Sequence, residues 1–282
     1  MINRINVIPL ALGTFLLCGS LVAPDKRAKV LIATDFGSIK VVLFDETPLH
    51  RDNFLKLVSN KTFDSTMFHR VIKEFMIQGG DPDSKKAQPG QMLGNGNVGY
   101  TINAEFHPNL FHKRGALAAA RLGDQMNPTK ASSGCQFYIV QGKVQTDSIL
   151  DLTQQRMDMQ IKQGLFNTII NKPENALLKQ QFIAAQQRFQ STGNPDSLNF
   201  YSAVINPKID EEFAKTPHRV FTPEQRNVYK TVGGTPFLDG GYTVFGEVVE
   251  GMEVVDKITE QQRDRNDRPL TDIRMTMKVV KK

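Results

Sequence analysis

Two stretches of the chain concentrate side chains able to act on a substrate without forming a covalent bond to it: Phe68-His69-Arg70-Val71-Ile72, and Phe75-Met76-Ile77-Gln78-Gly79-Gly80-Asp81-Pro82. Arg70 offers a planar guanidinium that donates hydrogen bonds in a fixed direction. Gln78, joined by Gln136 in Gly134-Cys135-Gln136-Phe137-Tyr138-Ile139, is an amide that donates and accepts at once, and Phe75 and Met76 supply apolar surface. Taken singly, an arginine belongs to the surface and a Phe-Met pair to the core. Together they describe an aimed donor beside an apolar pocket, a set suited to electrostatic stabilisation that needs no nucleophile, metal or cofactor.

Other patterns are weaker. His107 and His112 are five residues apart with no helix between them, so they do not make a metal site. Gly94-Asn95-Gly96-Asn97-Val98-Gly99 matches the dinucleotide-binding spacing, but that fingerprint needs a preceding buried strand and a following helix. Here Gln91-Met92 precedes and the strand-like Tyr100-Thr101-Ile102 follows, so it reads as a flexible loop. His69 reads as structural, packing near Arg70, and Cys135 as a small buried thiol.

The elements that must position these residues are mostly β. Val30 to Phe44 reads as a hairpin turned at Asp35-Phe36-Gly37-Ser38, and Thr47-Pro48 opens a short helix whose apolar positions are Phe54, Leu57 and Val58. Short apolar segments between Gly, Asn and Pro fill residues 63–142, and strand-like runs return from Tyr242 to the C-terminal end. Between 143 and 236 the texture changes. Met157, Ile161, Leu165 and Ile169, then Leu178, Phe182, Ala185 and Phe189, fall at helical spacing, and Thr222-Pro223-Glu224-Gln225 has capping-box chemistry before a stop at Gly233-Gly234. The expected organisation is an export segment at 1–23, a β domain at 24–142 and 237–282, and a helical insertion at 143–236. The stripes of the insertion serve its own core or its packing on the β domain, with recruitment of a protein partner as the alternative.

The quoted stretches, with Phe237-Leu238-Asp239-Gly240 and Tyr242-Thr243-Val244-Phe245-Gly246-Glu247-Val248, resemble the cyclophilin family in content and order. The resemblance covers roughly 29–142 and 235–280. It implies a mainly β fold, a closed eight-stranded antiparallel barrel capped by two helices, and peptidyl-prolyl cis-trans isomerase activity on proline-containing polypeptides. It also implies the site: Arg70 as catalytic donor to the prolyl nitrogen, and Phe75, Met76, Tyr138 and Leu238 around the proline ring. Gln78 and Gln136 would bind the substrate backbone or orient Arg70, Ala120 and Arg121 would make backbone contacts, and Phe237 and Tyr242 would stand beside the pocket. Relatives commonly carry Met at Ala119, Asn at Arg121, Trp at Phe237 and His or Tyr at Tyr242. The Trp of those relatives donates its indole N–H to the inhibitor cyclosporin, and this chain has no Trp.

The 282 residues are 40% apolar and 23% charged, a globular balance, and the formal charge of +6 is spread without a basic run, which gives no reason to expect nucleic acid. Arg4 followed by the apolar run Ile5 to Leu17 is built like a signal peptide and too short to span a bilayer comfortably, so the mature chain is expected outside the cytoplasm, in the periplasm or cell envelope. Phe15-Leu16-Leu17-Cys18 resembles a lipobox with a bulky Leu17; Cys18 either carries a lipid that attaches the protein to a membrane or merely ends the apolar stretch.

Overall fold

The structure, a computed structural model, describes residues 26–280; the export segment and Cys18 lie outside the described residues. The chain begins with the expected hairpin, β1 (Lys29–Thr34) and β2 (Gly37–Leu43). Helix α1 (Pro48–Ser59) follows, with proline at its first turn. Thr47 makes no side-chain cap. Its place is taken by Glu105, whose carboxylate accepts from the Leu49 and His50 amides at 3.0 Å each, an anion where the helix dipole is positive. Next come β3 (Phe68–Ile72), β4 (Met76–Gly79), β5 (Thr101–Ile102), β6 (Ala116–Ala119), β7 (Ser132–Ser133) and β8 (Phe137–Val140). Helices α2 (Asp147–Ile170), α3 (Ala176–Thr192), α4 (Asp196–Lys215) and α5 (Pro223–Thr231) precede β9 (Val244–Glu250), α6 (Met252–Thr259) and β10 (Met275–Val280).

Eight strands form one antiparallel sheet in the order β10-β1-β2-β9-β6-β8-β4-β3, and β5 pairs with β7 apart from it. The expected closed barrel is not what forms. The sheet is a curled half-barrel: among the described residues its edge strands β3 and β10 do not pair with each other, and the chain next to them is joined by the bridge between Met67 and Arg274 and the backbone bonds beside it. From that bridge the two strands run apart. Beyond it β3 lies beside an irregular segment, with the Phe68 amide donating to Ile273 and the Val71 amide to Asp267, while β10 faces the turn at Asp64 and Ser65, where Ser65 is at positive φ, the Ser65 amide donates to Met275 and the Met277 amide donates to the Asp64 carboxylate. A turning backbone cannot present the regular donors a ladder requires.

Strand alternation builds two apolar layers. Phe137 and Ile139 of β8 and Leu117 and Ala119 of β6 point into the concave core, where α1 adds Phe54, Leu57 and Val58 and α6 adds Val254, Val255 and Ile258. The Phe54 ring lies 5.1–5.5 Å from those of Phe63, Phe137 and Phe245, so truncating it would cost about 3–5 kcal/mol. The intervening residues, Ala116, Ala118, Tyr138 and Val140, lie on the opposite face with Met76, Phe44 and Val244. Burial on both faces explains why β6 and β8 read as unbroken apolar runs.

In the helical segment, α2 and α3 contain the two predicted stripes, and Thr222 with Gln225 forms the predicted capping box of α5. Helix α4 has no counterpart among the sequence expectations; it carries Pro207 in its interior. Ile169, Ile170, Ile205 and Ile209 form a small core of their own, whereas Leu150, Phe221 and Tyr229 form another against Phe111.

Candidate active site

The face carrying Tyr138 holds the site. Strand register brings its parts into line: Arg70 pairs with Gln78 across β3 and β4, Gln78 with Tyr138 across β4 and β8, and Tyr138 with Ala118 across β8 and β6. Paired residues share a face of the sheet. Phe75 sits in the turn between β3 and β4, where Glu74 takes φ 61°. That turn is held by Gln141, whose side-chain oxygen accepts from the Glu74 amide at 2.6 Å. Leu238 comes from a helical turn at Pro236–Leu238.

These side chains enclose a cavity of about 120 Å³ lined by Arg70, Phe75, Met76, Gln78, Ala120, Arg121, Tyr138, Leu238 and Tyr242. Met76 and Tyr138 form a buried apolar floor. The Arg70 guanidinium stands at the mouth, 6.0 Å from the Phe75 ring centroid, with Nη1 3.4 Å from Gln78 Oε1 and Nε 3.8 Å from Asp267. Its side chain is 42% exposed, which leaves guanidinium N–H groups able to turn toward a ligand.

Gln136 is behind the wall. It accepts from Gln78 Nε2 at 3.1 Å and donates to the Gly94 and Gly96 carbonyls at 2.8 Å each. The glycine loop that mimics a nucleotide fingerprint is thus pinned, and its supposed flexibility is corrected. The Gly94 and Gly96 amides also donate to the buried Asp81 carboxylate, and a side chain at Gly96 would collide with it.

Phe237 stands on the rim, 57% exposed, its ring 5.6 Å from that of Phe75. The Ala120 amide donates to Gln136 and its carbonyl accepts from Ser133, leaving one carbonyl lone pair for a ligand. The Arg121 side chain folds inward. Its Nε donates to the Gly241 carbonyl at 2.5 Å, its Nη1 lies 2.6 Å from Asp124, and the guanidinium stacks 4.6 Å from the Tyr242 ring.

Three residues at the base, His112, Asp239 and Tyr229, support Tyr138 from below without being among the expected site residues. Tyr138 Oη is 2.9 Å from His112 Nε2, His112 Nδ1 is 2.8 Å from Asp239 Oδ1, and the Tyr229 hydroxyl donates to Asp239 Oδ2 at 2.7 Å. Burial, with the nearby Tyr242 and the Asp239 charge, holds the Tyr138 phenol well above its usual range, so it stays neutral. His112 spends both ring nitrogens here, apart from His107. Asp239 was visible in its motif; Tyr229 carried no local signal.

The family model for "Cyclophilin type peptidyl-prolyl cis-trans isomerase/CLD" matches residues 29–166 and 225–280, more than half of the chain. The chain belongs to the cyclophilin family. This cyclophilin is 27% identical over 250 residues to a Staphylococcus epidermidis protein named "Putative peptidyl-prolyl cis-trans isomerase", covering 88% of this chain and 89% of that one. A Staphylococcus aureus protein of the same name is 28% identical over 246 residues, with 87% of each chain covered. The fold matches a crystal structure of a Cryptosporidium parvum cyclophilin type peptidyl-prolyl cis-trans isomerase, with TM-score 0.52 and 19% identity over 91% of this chain and 99% of that one. The cyclophilin is a peptidyl-prolyl cis-trans isomerase.

Proposed function

We propose that the cavity beside Arg70 is where the isomerase turns X-Pro bonds, and that its clients are polypeptides outside the cytoplasm. An X-Pro amide rotates over a barrier of about 18–20 kcal/mol because resonance stiffens its C–N bond. In the twisted state the nitrogen becomes pyramidal and its lone pair accepts a hydrogen bond. A guanidinium donating to that lone pair stabilises the twisted state alone, the differential binding that catalysis requires. Removing about 7 kcal/mol from the barrier gives roughly a 10⁵-fold acceleration.

The observation that carries this reading is Arg70 at the mouth of a small recess walled by Phe75, Met76, Tyr138 and Leu238, backed by Gln78 and Gln136. Met76, Tyr138, Phe75 and Leu238 hold the ring, Gln78 orients Arg70, and the free lone pair of the Ala120 carbonyl receives the substrate backbone. Phe237 and Tyr242 extend the contact along the rim, while Arg121 shapes the wall through Tyr242. The test is a proline-isomerisation rate assay on purified protein lacking residues 1–23. Binding of a proline tetrapeptide without acceleration would make the groove a non-catalytic binding module.

Arg4 and the apolar run after it support the extracytoplasmic setting. Fractionation of cells expressing the full chain should place the processed protein in the envelope, and cytoplasmic recovery at full length would defeat that reading. Fatty-acid labelling lost in Cys18→Ala tests the lipid anchor.

The division of the chain at 143–236 is likewise proposed on the all-helical character of α2 to α5, with recruitment of a protein partner as its proposed use.

A further inference from the structure

The residues lining the proline cavity lie outside 143–236, but the base of the cavity is tied to that segment by buried polar contacts. Tyr138 ends the chain of contacts on the pocket side; its side chain is buried, and its hydroxyl meets His112 in a buried contact. Its partner His112 Nε2 can accept only if the imidazole carries its proton on Nδ1. Asp239 selects that tautomer, because Oδ1 accepts from both the His112 backbone amide at 2.9 Å and the ring Nδ1 at 2.8 Å. Oδ2 is turned the other way, toward the helical segment. There it accepts from the Tyr229 hydroxyl on α5 at 2.7 Å and lies 3.5 Å from Arg219 Nε, an ionic contact rather than an aligned hydrogen bond. Asp239 also directly follows Leu238, a wall of the same recess, in the chain.

We propose that Tyr229 is a positioning residue of the proline pocket, acting through Asp239 and His112 on Tyr138. The inference rests on the assignment of the cavity under the proposed function. A buried carboxylate needs its acceptor sites filled. When Tyr229 is present, Asp239 holds His112 in one tautomer, and the Tyr138 ring is held stacked on the His112 imidazole, 14° between the planes. When the Tyr229 hydroxyl is removed, Oδ2 keeps only the distant guanidinium, and the relay relaxes around its remaining donors. The consequence falls on how well the recess receives the ring, in the ground state and the twisted state alike. Such uniform binding appears in KM and spares kcat.

The experiment measures kcat and KM on a proline tetrapeptide for the protein lacking residues 1–23. Tyr229→Phe keeps the ring that packs on Phe111 and Phe221. The expected result is KM raised about three- to tenfold, the worth of one hydrogen bond, with kcat within about twofold. A purely structural role would lower the melting temperature and leave KM of the folded protein untouched. In a Tyr138→Phe background no hydroxyl remains for the relay to hold, so Tyr229→Phe should then change KM by less than about twofold. An unchanged KM in Tyr229→Phe, or the full effect persisting beside Tyr138→Phe, overturns the proposal. Should Tyr229→Phe fail to fold, ¹⁵N NMR of the unsubstituted protein decides: the His112 Nδ1–H resonance should shift as the tetrapeptide saturates the site, and a resonance unmoved at saturation overturns the relay. Failure of the cavity assignment would look different, as full kcat in Arg70→Lys.

Discussion

Arg70 and Gln78 face each other across the β3–β4 ladder, with the guanidinium Nη1 3.4 Å from the amide oxygen and Gln136 bonded behind. The amide aims the guanidinium, and the aim depends on its planar fork. Lysine at the same position keeps the charge but presents a compact ammonium on a flexible stem. Arg70→Lys should therefore lower kcat/KM by roughly 10²–10³, the usual worth of one aimed donor. The half-exposed side chain carries little of the core, so circular dichroism and the melting temperature should match the parent. Near-parental turnover in the folded variant would remove Arg70 from the mechanism.

Phe237 offers the rim an apolar ring and no donor. Substrate proline needs only apolar contact there, whereas cyclosporin loses a hydrogen bond worth about 0.5–1.5 kcal/mol. Weak inhibition with ordinary catalysis is expected. Phe237→Trp, titrated in the same assay, should bind the inhibitor about tenfold more tightly. Equal inhibition of the two proteins would count against the indole N–H as the missing contact.

The outer helices should be dispensable for small substrates. The Lys162 Nζ and Asp210 side chains meet at 2.7 Å, which brings the two backbones within two side-chain lengths of each other, a gap that a glycine linker replacing residues 163–209 can span. The excision takes Ile169, Ile170, Ile205 and Ile209 away together, leaving no half of their core exposed. Tyr229 and the start of α2 stay in place. Tetrapeptide turnover should remain within about twofold. Removing 144–234 instead deletes Tyr229 and should raise KM; if both excisions behave alike, the division of labour within the segment is wrong.

Stability should fall in mild acid through His69. Burial lowers its pKa from 6.5 to about 4, with Asp81 opposing the shift only in part. Between those values the unfolded chain binds a proton that the folded one refuses. The contribution of neutral His69 is therefore complete above about pH 6.5 and is lost as pH falls toward 4, on the order of 3 kcal/mol across the window. His50, also lowered by burial, works in the same direction. Urea midpoints measured from pH 7 to 4 should drop less steeply in His69→Gln than in the parent, and parallel slopes would show that another group carries the acid sensitivity.

The one-dimensional pattern determined a good deal. The short apolar runs FYIV and ALAA, the proline-started helix, the capping box at Thr222 and the ordered motifs around Arg70, Gln136 and Leu238 were all legible, because each depends on near neighbours in the chain. The family resemblance, not local pattern, implied that Phe75, Met76, Tyr138 and Leu238 line one pocket beside Arg70 and Gln78, and these side chains do line one recess. Other features waited for the tertiary structure. Whether the curled sheet closes depends on what lies opposite β3 and β10, and turns there stop the ladder at Met67 and Arg274. Arg121 folds inward because the Gly241 carbonyl, 120 positions away, is the acceptor within reach. The Asp239 link to His112 spans 127 positions, and Tyr229 joins it from a helix whose sequence pattern reports only its own apolar face. Burying a carboxylate demands partners, but only the path of the chain through space decides which side chains are near enough to satisfy it.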